Sequence, residues 1–391
     1  MAKITVIAAA FFTTLIVAVI LLLSGFKRLA SSSATGNTLI MHVFSDSDPQ
    51  YLENLKFFVR YGVSQDYTAD YLIIVQTNSS ALLNRLPLLP SNAKYVQHAN
   101  ECYDWGAVGW LLLRSGQVKL SHYKFFVFTN SSVRGPFVPP YVPTELAWHT
   151  LLTRRLSEEI KLVGPVISCE GAAYRGNTTG HWRKNPHVQS YVLAMDQAAL
   201  QVLAQEGQVM QCHSDRWDAV YFGELGASLA ILNAGYNIDS LLVRYQGIDW
   251  RQQKNWDCNS RVNPTKPLLF DGASLHPYDA MFVKIKEQHL QNNDDTTASA
   301  LRYQDWLNIA TSTRQDVSSN KFYTQADRIQ APLIKRLRAQ GRKCWDVDFY
   351  LVNNPDLGDN GINADQAWEH FVTLGQFEGR PERMICDPTQ E

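Results

Sequence analysis

Four clusters in this 391-residue chain carry side chains able to do chemistry. The first is Asn130-Ser131-Ser132 with Arg134, inside FVFTNSSVRGPFVPP. Amides, hydroxyls and a guanidinium there follow the apolar run Phe125 to Phe128, which reads as a strand of a buried parallel sheet. Prolines then forbid its extension. Ligands of open α/β sheets bind beyond the carboxyl ends of strands, and a guanidinium at such a place suits a phosphoryl group. The same residues would also make an ordinary Asn/Ser turn. The second cluster is Asn100, Tyr103, Asp104 and Gly106, where Asp104 either faces a ligand or caps a helix. The third is Glu224 in FGELGAS, a candidate base at a helix start, where a carboxylate also complements the helix dipole. The fourth is Asp271, Gly272 and His276 in DGASLHPYDAMFVK, with His276 either a ligand or a structural residue beside proline. Paired carboxylates and nucleophile motifs of a hydrolase are absent from the sequence.

The elements that must position these groups alternate. Strands are expected at Leu39–Phe44, Asp70–Val75, Tyr95–His98, the run from Phe125, Leu162–Ser168, Val188–Ala194 and Ile238–Val243. Between them lie helices: one entered through Pro49, one from Asp104, one capped by Thr144, one capped by Asp196 and stopped by Gly207, and one from Glu224 to Asn233. Alternation at these lengths predicts an α/β fold with a mostly parallel sheet flanked by helices. That domain should span 38–286. Residues 287–342, polar at their start, read as a linker with some helix around Tyr303 to Ile309. The stretch 343–391 reads as a small helical module with helices near Asp346 to Val352 and Asp365 to Leu374. So small a unit needs a staple, and a Cys344–Cys386 disulfide would supply it.

Ile4 to Leu23 is uncharged and long enough to span a bilayer. It predicts a signal anchor over 1–24, with a stem over 25–37; a cleaved signal peptide is the rival reading. All six cysteines follow it, none at zinc-site spacing, which suits disulfides in an oxidising lumen. Asn78, Asn130 and Asn177 open N-glycosylation sequons, although Asn130 lies too close to the sheet to carry a glycan. With 36 basic against 37 acidic residues and no long basic run, nucleic acid is excluded as the main partner.

Taken together, FVFTNSSVRGPFVPPY, KLVGPVISCE, PHVQSYVLAMD, GELGASLAILNAGYNIDSLL and LHPYDAMFVK resemble the GT-A-fold glycosyltransferases. The likeness is greatest to glycosyltransferase-like type II membrane proteins in which NSSVRGPF replaces the acidic motif, and it covers Leu39 to Lys286. It implies a Rossmann-like GT-A domain, a nucleotide-sugar donor, a glycan or glycoprotein acceptor, and residence in the Golgi or endoplasmic reticulum membrane with the domain lumenal. By the same resemblance Glu224 is the acceptor-activating base of an inverting transfer and Asp104 lies near the nucleoside. Gln189 and Ser190 lie along the sugar floor, and Asn130, Ser131, Ser132 and Arg134 hold the diphosphate. His276 would be a metal ligand if a metal is used. The family's cation, Mn2+ or Mg2+, normally sits on an Asp-x-Asp that is missing here, and hard cations prefer charged oxygens. The expectation is therefore that Arg134, Glu224 and His276 converge on one pocket. A non-catalytic glycan-binding or scaffolding protein with the same fold is the alternative. The C-terminal FYLVNNPDL…AWEHFVTLGQFEGR resembles small modules appended to other proteins, some carbohydrate-active.

Overall fold

The structure is a computed structural model describing residues 38–312 and 341–385, apart from 78, 144, 177–180, 271, 293, 294, 376, 377, 379 and 384. The expected anchor and stem lie outside those residues, as do Asn78, Thr144, Asn177, Asp271 and Cys386. No helix among the described residues is long and apolar enough to cross a membrane. The chain divides into two compact units, the first ending at Gln304 and the second beginning at Asp305.

The first unit is organised by a seven-stranded sheet of β1 (Thr38–Ser45), β2 (Ala69–Gln76), β3 (Ala93–Gln97), β4 (Phe125–Asn130), β5 (Ile160–Gly164), β6 (Val192–Asp196) and β7 (Asn237–Ser240), in the order β7-β5-β6-β4-β1-β2-β3. β1 runs parallel to β2 and β4, β2 to β3, and β5 to β7, while β6 is antiparallel to both its neighbours. The sheet is mostly parallel, as the apolar runs require: Phe126, Val127 and Phe128 of β4 are fully buried. The chain lays β1, β2 and β3 outward and then returns to place β4 on the other side of β1. The strand order therefore reverses between β1 and β4, and a ligand crevice is expected there.

Helices flank the sheet. α1 (Tyr51–Gly62) packs Leu52, Leu55 and Phe58 against it, and α2 (Asp104–Gly109) continues as a π-helical turn over Trp110–Arg114. α3 (Gln197–Glu206) is capped by Asp196, whose Oδ1 accepts from the Ala199 amide at 3.0 Å, and stops at Gly207 in the left-handed region at φ +86°. α4 (Leu225–Asn233) continues a helical run that begins at Arg216. Three expectations shift. Pro165, lacking an N–H, ends β5, and Ile167–Ser168 instead pairs with His187–Val188 in a separate ladder. The strand expected from Val188 starts at Val192. The helix expected after Thr144 is one turn, Thr150–Thr153; Trp148 is buried and donates its indole N–H to the Gly62 carbonyl at 2.7 Å.

α5 (Pro277–Ala280), α6 (Glu287–Gln291) and α7 (Asp295–Ser312) follow. Residues 287–304, expected to open a linker, are thus mostly helical and belong to the first unit, with Ala300 fully buried. Disulfides join Cys102 to Cys212 and Cys169 to Cys258.

The second unit contains α8 (Val347–Asn353), α9 (Pro355–Asp359) and α10 (Ala364–His370) around Trp345, Tyr350, Leu357, Ala367 and Phe371. Asn354 donates to the Tyr350 carbonyl at 2.8 Å and the Pro381 carbonyl at 3.1 Å, and Arg380 pairs with Asp356 at 2.8 Å. Asn354, Asp356 and Arg380 therefore fix turns and helix packing. Cys344 is disulfide-bonded.

Candidate active site

Beyond the carboxyl ends of β1, β2 and β4 lies a cavity of about 560 Å³. Ser45, Gln76 and Asn130, the last residues of those three strands, all line it. It therefore sits where the strand order reverses, the position that parallel-sheet topology leaves open for a ligand. Asp104, Ser131, Ser132, Ser190 and Glu224 line the same cavity. Six of the nine expected site residues are thus brought together.

The NSS motif is held from several sides. Asn130 Nδ2 donates to Asp104 Oδ2 at 2.6 Å, and its Oδ1 accepts from the Ser132 amide at 3.0 Å and the Ser132 hydroxyl at 2.6 Å. The Ser131 amide donates to the Val43 carbonyl at 2.9 Å. Asn54 Nδ2, fully buried on α1, donates at 2.9 Å to both the Ser131 and the Ile285 carbonyls. Asn130 is itself buried and its amide nitrogen engaged, so this sequon is not open to glycosylation.

Asp104 is the first residue of α2, and the cap position belongs to Tyr103. The carboxylate instead meets the end of the central strand, which decides against the capping role. Desolvation pushes its carboxyl up to about 6; the Asn130 hydrogen bond opposes that rise and the Glu224 charge reinforces it. Glu224 closes a π-helical turn, Ala219–Glu224, inside the continuous run Arg216–Asn233, whose true N-cap is Asp215. A carboxylate in mid-run gains little from the helix dipole, which acts within the first turn. Widened π turns occur often at functional sites. Behind Glu224, the His187 Nε2 lies 4.0 Å from Oε1 and 3.1 Å from Gln189 Nε2. Burial holds the His187 ring below the ordinary histidine range.

The remaining three expected residues stand elsewhere. Arg134 is buried and does not line the cavity. Its guanidinium donates to Asn54 Oδ1 at 2.9 Å, Gln304 Oε1 at 2.8 Å and Gln50 Oε1 at 3.4 Å. It therefore acts through Asn54, bracing the loop from behind rather than meeting a phosphate. His276 caps α5, its Nδ1 accepting from the Tyr278 amide at 3.2 Å while Nε2 lies 2.6 Å from the Tyr303 hydroxyl. Both ring nitrogens are used, and the ring is not on the cavity wall, so it is not placed as a metal ligand of this site. Gln189 is buried one residue behind Ser190. Convergence of Arg134, Glu224 and His276 on one pocket is not observed.

Cations reach the cavity by a different route. Val283–Lys284 forms a two-residue antiparallel ladder with Val133–Arg134, and the Ile285 amide donates to the Ser132 carbonyl at 3.0 Å. Alternation then turns Val283 and Ile285 into the core and sets Lys284 and Lys286 on the cavity wall. Arg216 joins them. Burial, with Lys284 and Arg216 nearby, holds the Lys286 ammonium below the ordinary lysine range. The signal was present in FVKIKE, whose period-2 pattern marks a strand with one polar side. The opposite wall is drawn in by the Cys102–Cys212 bridge and by Gly106, where a Cβ would stand 2.9 Å from the Gln211 carbonyl oxygen.

The residues present do not fit the divalent cation that the family resemblance brings. The Asn130 carboxamide oxygen is committed to Ser132, and the Ser131 hydroxyl accepts from the Ser45 amide at 3.3 Å. Among the described residues the one grouping of three potential ligands is His98, Glu101 and Cys102, and the Cys102 sulfur is in a disulfide.

No family model matches the chain, and no curated protein matches it. Among the solved structures that match is the mannosyltransferase PcManGT from Pyrobaculum calidifontis, in complex with GDP-Man and Mn2+. Its sequence identity to this chain is 12% and the TM-score is 0.31. The match covers 52% of this chain and 54% of that one, so the chain spans about half the neighbour's length.

Proposed function

We propose that this chain is a glycosyltransferase that moves a sugar from a nucleotide-sugar donor to a hydroxyl of a glycan or glycoprotein, with inversion. The observation that carries the reading is the meeting of Glu224 and the Asp104–Asn130 pair on one cavity at the sheet's reversal point. The donor's diphosphate lies against Ser131, Ser132 and the lysine side of the cavity, with the nucleoside toward Asp104. Glu224 takes the proton from the acceptor hydroxyl as its oxygen bonds to the anomeric carbon. The bond from that carbon to the phosphate oxygen breaks, and the electron pair leaves with the nucleoside diphosphate. Lys284, Lys286 and Arg216 stabilise the charge growing there. The inverting course follows from assigning one base, Glu224, to the acceptor.

The Cys102–Cys212 and Cys169–Cys258 disulfides support an oxidising compartment. With the uncharged Ile4 to Leu23 stretch, they support a lumenal domain on a type II membrane anchor in the Golgi or endoplasmic reticulum. The non-catalytic alternative, glycan binding on a retained fold, draws on the replacement of the acidic motif by Asn130-Ser131-Ser132. Incubation with a panel of UDP-, GDP- and CMP-sugars, with and without acceptor glycans, separates the two. Nucleotide release by the wild type should fall ~100- to 10,000-fold in Glu224→Gln, the span typical of a lost general base, with donor affinity nearly unchanged. Equal turnover by both proteins would remove Glu224 as the base, and binding without turnover would favour the alternative.

A further inference from the structure

We infer that Lys284 and Lys286 occupy the electrostatic place of a divalent cation, so that this cavity grips a diphosphate without any metal. The inference rests on the donor-binding reading above and adds to it the identity of the charge that holds the phosphates.

Three observations converge. The acidic motif that would carry a cation is replaced by an amide and two hydroxyls, and their oxygens are engaged within the loop and with β1. The carboxylate nearest to them, Asp104, already accepts a 2.6 Å hydrogen bond from Asn130. Meanwhile two ammonium groups are delivered to the same wall by a backbone hydrogen-bonded to the motif itself. Val283–Lys284 pairs with Val133–Arg134, the Ile285 amide reaches the Ser132 carbonyl, and one Asn54 amide clamps the Ser131 and Ile285 carbonyls together. Lysines and motif are therefore parts of one braced unit, and Arg134 supports it through Asn54.

The cavity also holds Asp104, Glu224 and Glu101, and Asp104 interacts with both lysines. Lys284 stands 5.3 Å from the centre of the Tyr191 ring, and neither lysine forms a described ion pair with a carboxylate. Burial and the crowding of Lys284 and Arg216 outweigh the attraction of Asp48 and Asp104 for the Lys286 ammonium, and a diphosphate would relieve that cost. Two ammonium groups supply the same formal charge as one dication, with hydrogen-bond donors tethered to the chain in place of an exchangeable ion.

The test is calorimetric titration of the chain with inorganic pyrophosphate, UDP and GDP, in EDTA and again with Mn2+. Binding should occur in EDTA, change less than about twofold on adding Mn2+, and weaken as salt rises. Lys284→Ala and Lys286→Ala should each weaken it roughly tenfold or more, the loss expected for a hydrogen bond to a charged group. Lys284→Arg and Lys286→Arg keep the charge and should recover most of it. Lys56→Ala, on the exposed Glu53 pair, controls for net charge. Thermal melts identify any variant that fails to fold, in which case the arginine variants and the salt dependence decide. Binding that requires Mn2+, or that survives removal of either lysine, would overturn the inference and leave the donor reading intact. Absence of binding to any of the three probes, with or without Mn2+, would overturn both.

Discussion

Asp104→Asn should make the protein more stable and a poorer donor binder. The Asp104 carboxyl, ordinarily near 3.8, is pushed up to about 6, desolvation being the main cause. A rise of about two units corresponds to roughly 3 kcal/mol of unfavourable ionisation once the group is fully charged. The carboxylate faces the cavity, so water screens part of this, and about 1–2 kcal/mol is the expected gain on removing the charge. The new amide can still accept the Asn130 hydrogen bond through its oxygen. The sign follows from proton binding. Between about pH 4 and 6 the folded carboxyl keeps a proton that the unfolded chain has released, so the wild type loses stability as pH rises through that window. The variant has no such loss. Melting curves should therefore coincide near pH 4 and separate by roughly 2–8 °C at pH 8 for a domain of this size. Nucleotide affinity at pH 8 should fall in the same variant. A variant no more stable at pH 8, or a gap equal at both pH values, would refute the electrostatic account of Asp104.

Arg134→Gln should cost about 2–4 kcal/mol of stability, because it strips the buried Asn54 oxygen and the part-buried Gln304 and Gln50 oxygens of their donor. A variant that keeps its melting temperature but loses pyrophosphate binding would return Arg134 to direct phosphate contact. The Cys102→Ser, Cys212→Ser double variant opens a link between residues 110 apart and should lose about 4 kcal/mol in denaturant titrations, as chain-entropy reasoning gives for such a span. Unchanged stability would show that the bridge does not constrain the cavity wall.

The architecture was legible because its signals are local. The apolar run of β4, the Asp196 cap and the Gly207 stop each decide their own few residues. The strand expected over Leu162–Ser168 is shorter because its run, uncharged from Leu162 to Ile167, is broken at Pro165, which ends the pairing. The cavity lining was legible where the backbone decides it: Asn130 to Ser132 emerge at a strand end, and Glu224 follows Gly223 on a helix. Arg134 and His276 do not line the cavity, for one reason. Sequence distance from a strand end does not say which way a side chain turns, and the partners that turned them, Asn54 and Tyr303, are far away in the chain. Lys284 and Lys286 carried a readable period-2 pattern, but only pairing with Val133–Arg134 shows that the pattern borders the site.

The most direct measurement is a crystal structure of the chain grown with a nucleoside diphosphate in EDTA. The account predicts density for the diphosphate between Ser131–Ser132 and the Lys284 and Lys286 ammonium groups, with Glu224 facing the vacant sugar position. Diphosphate density in any other part of the molecule, or density in this cavity only when Mn2+ is supplied, would contradict it.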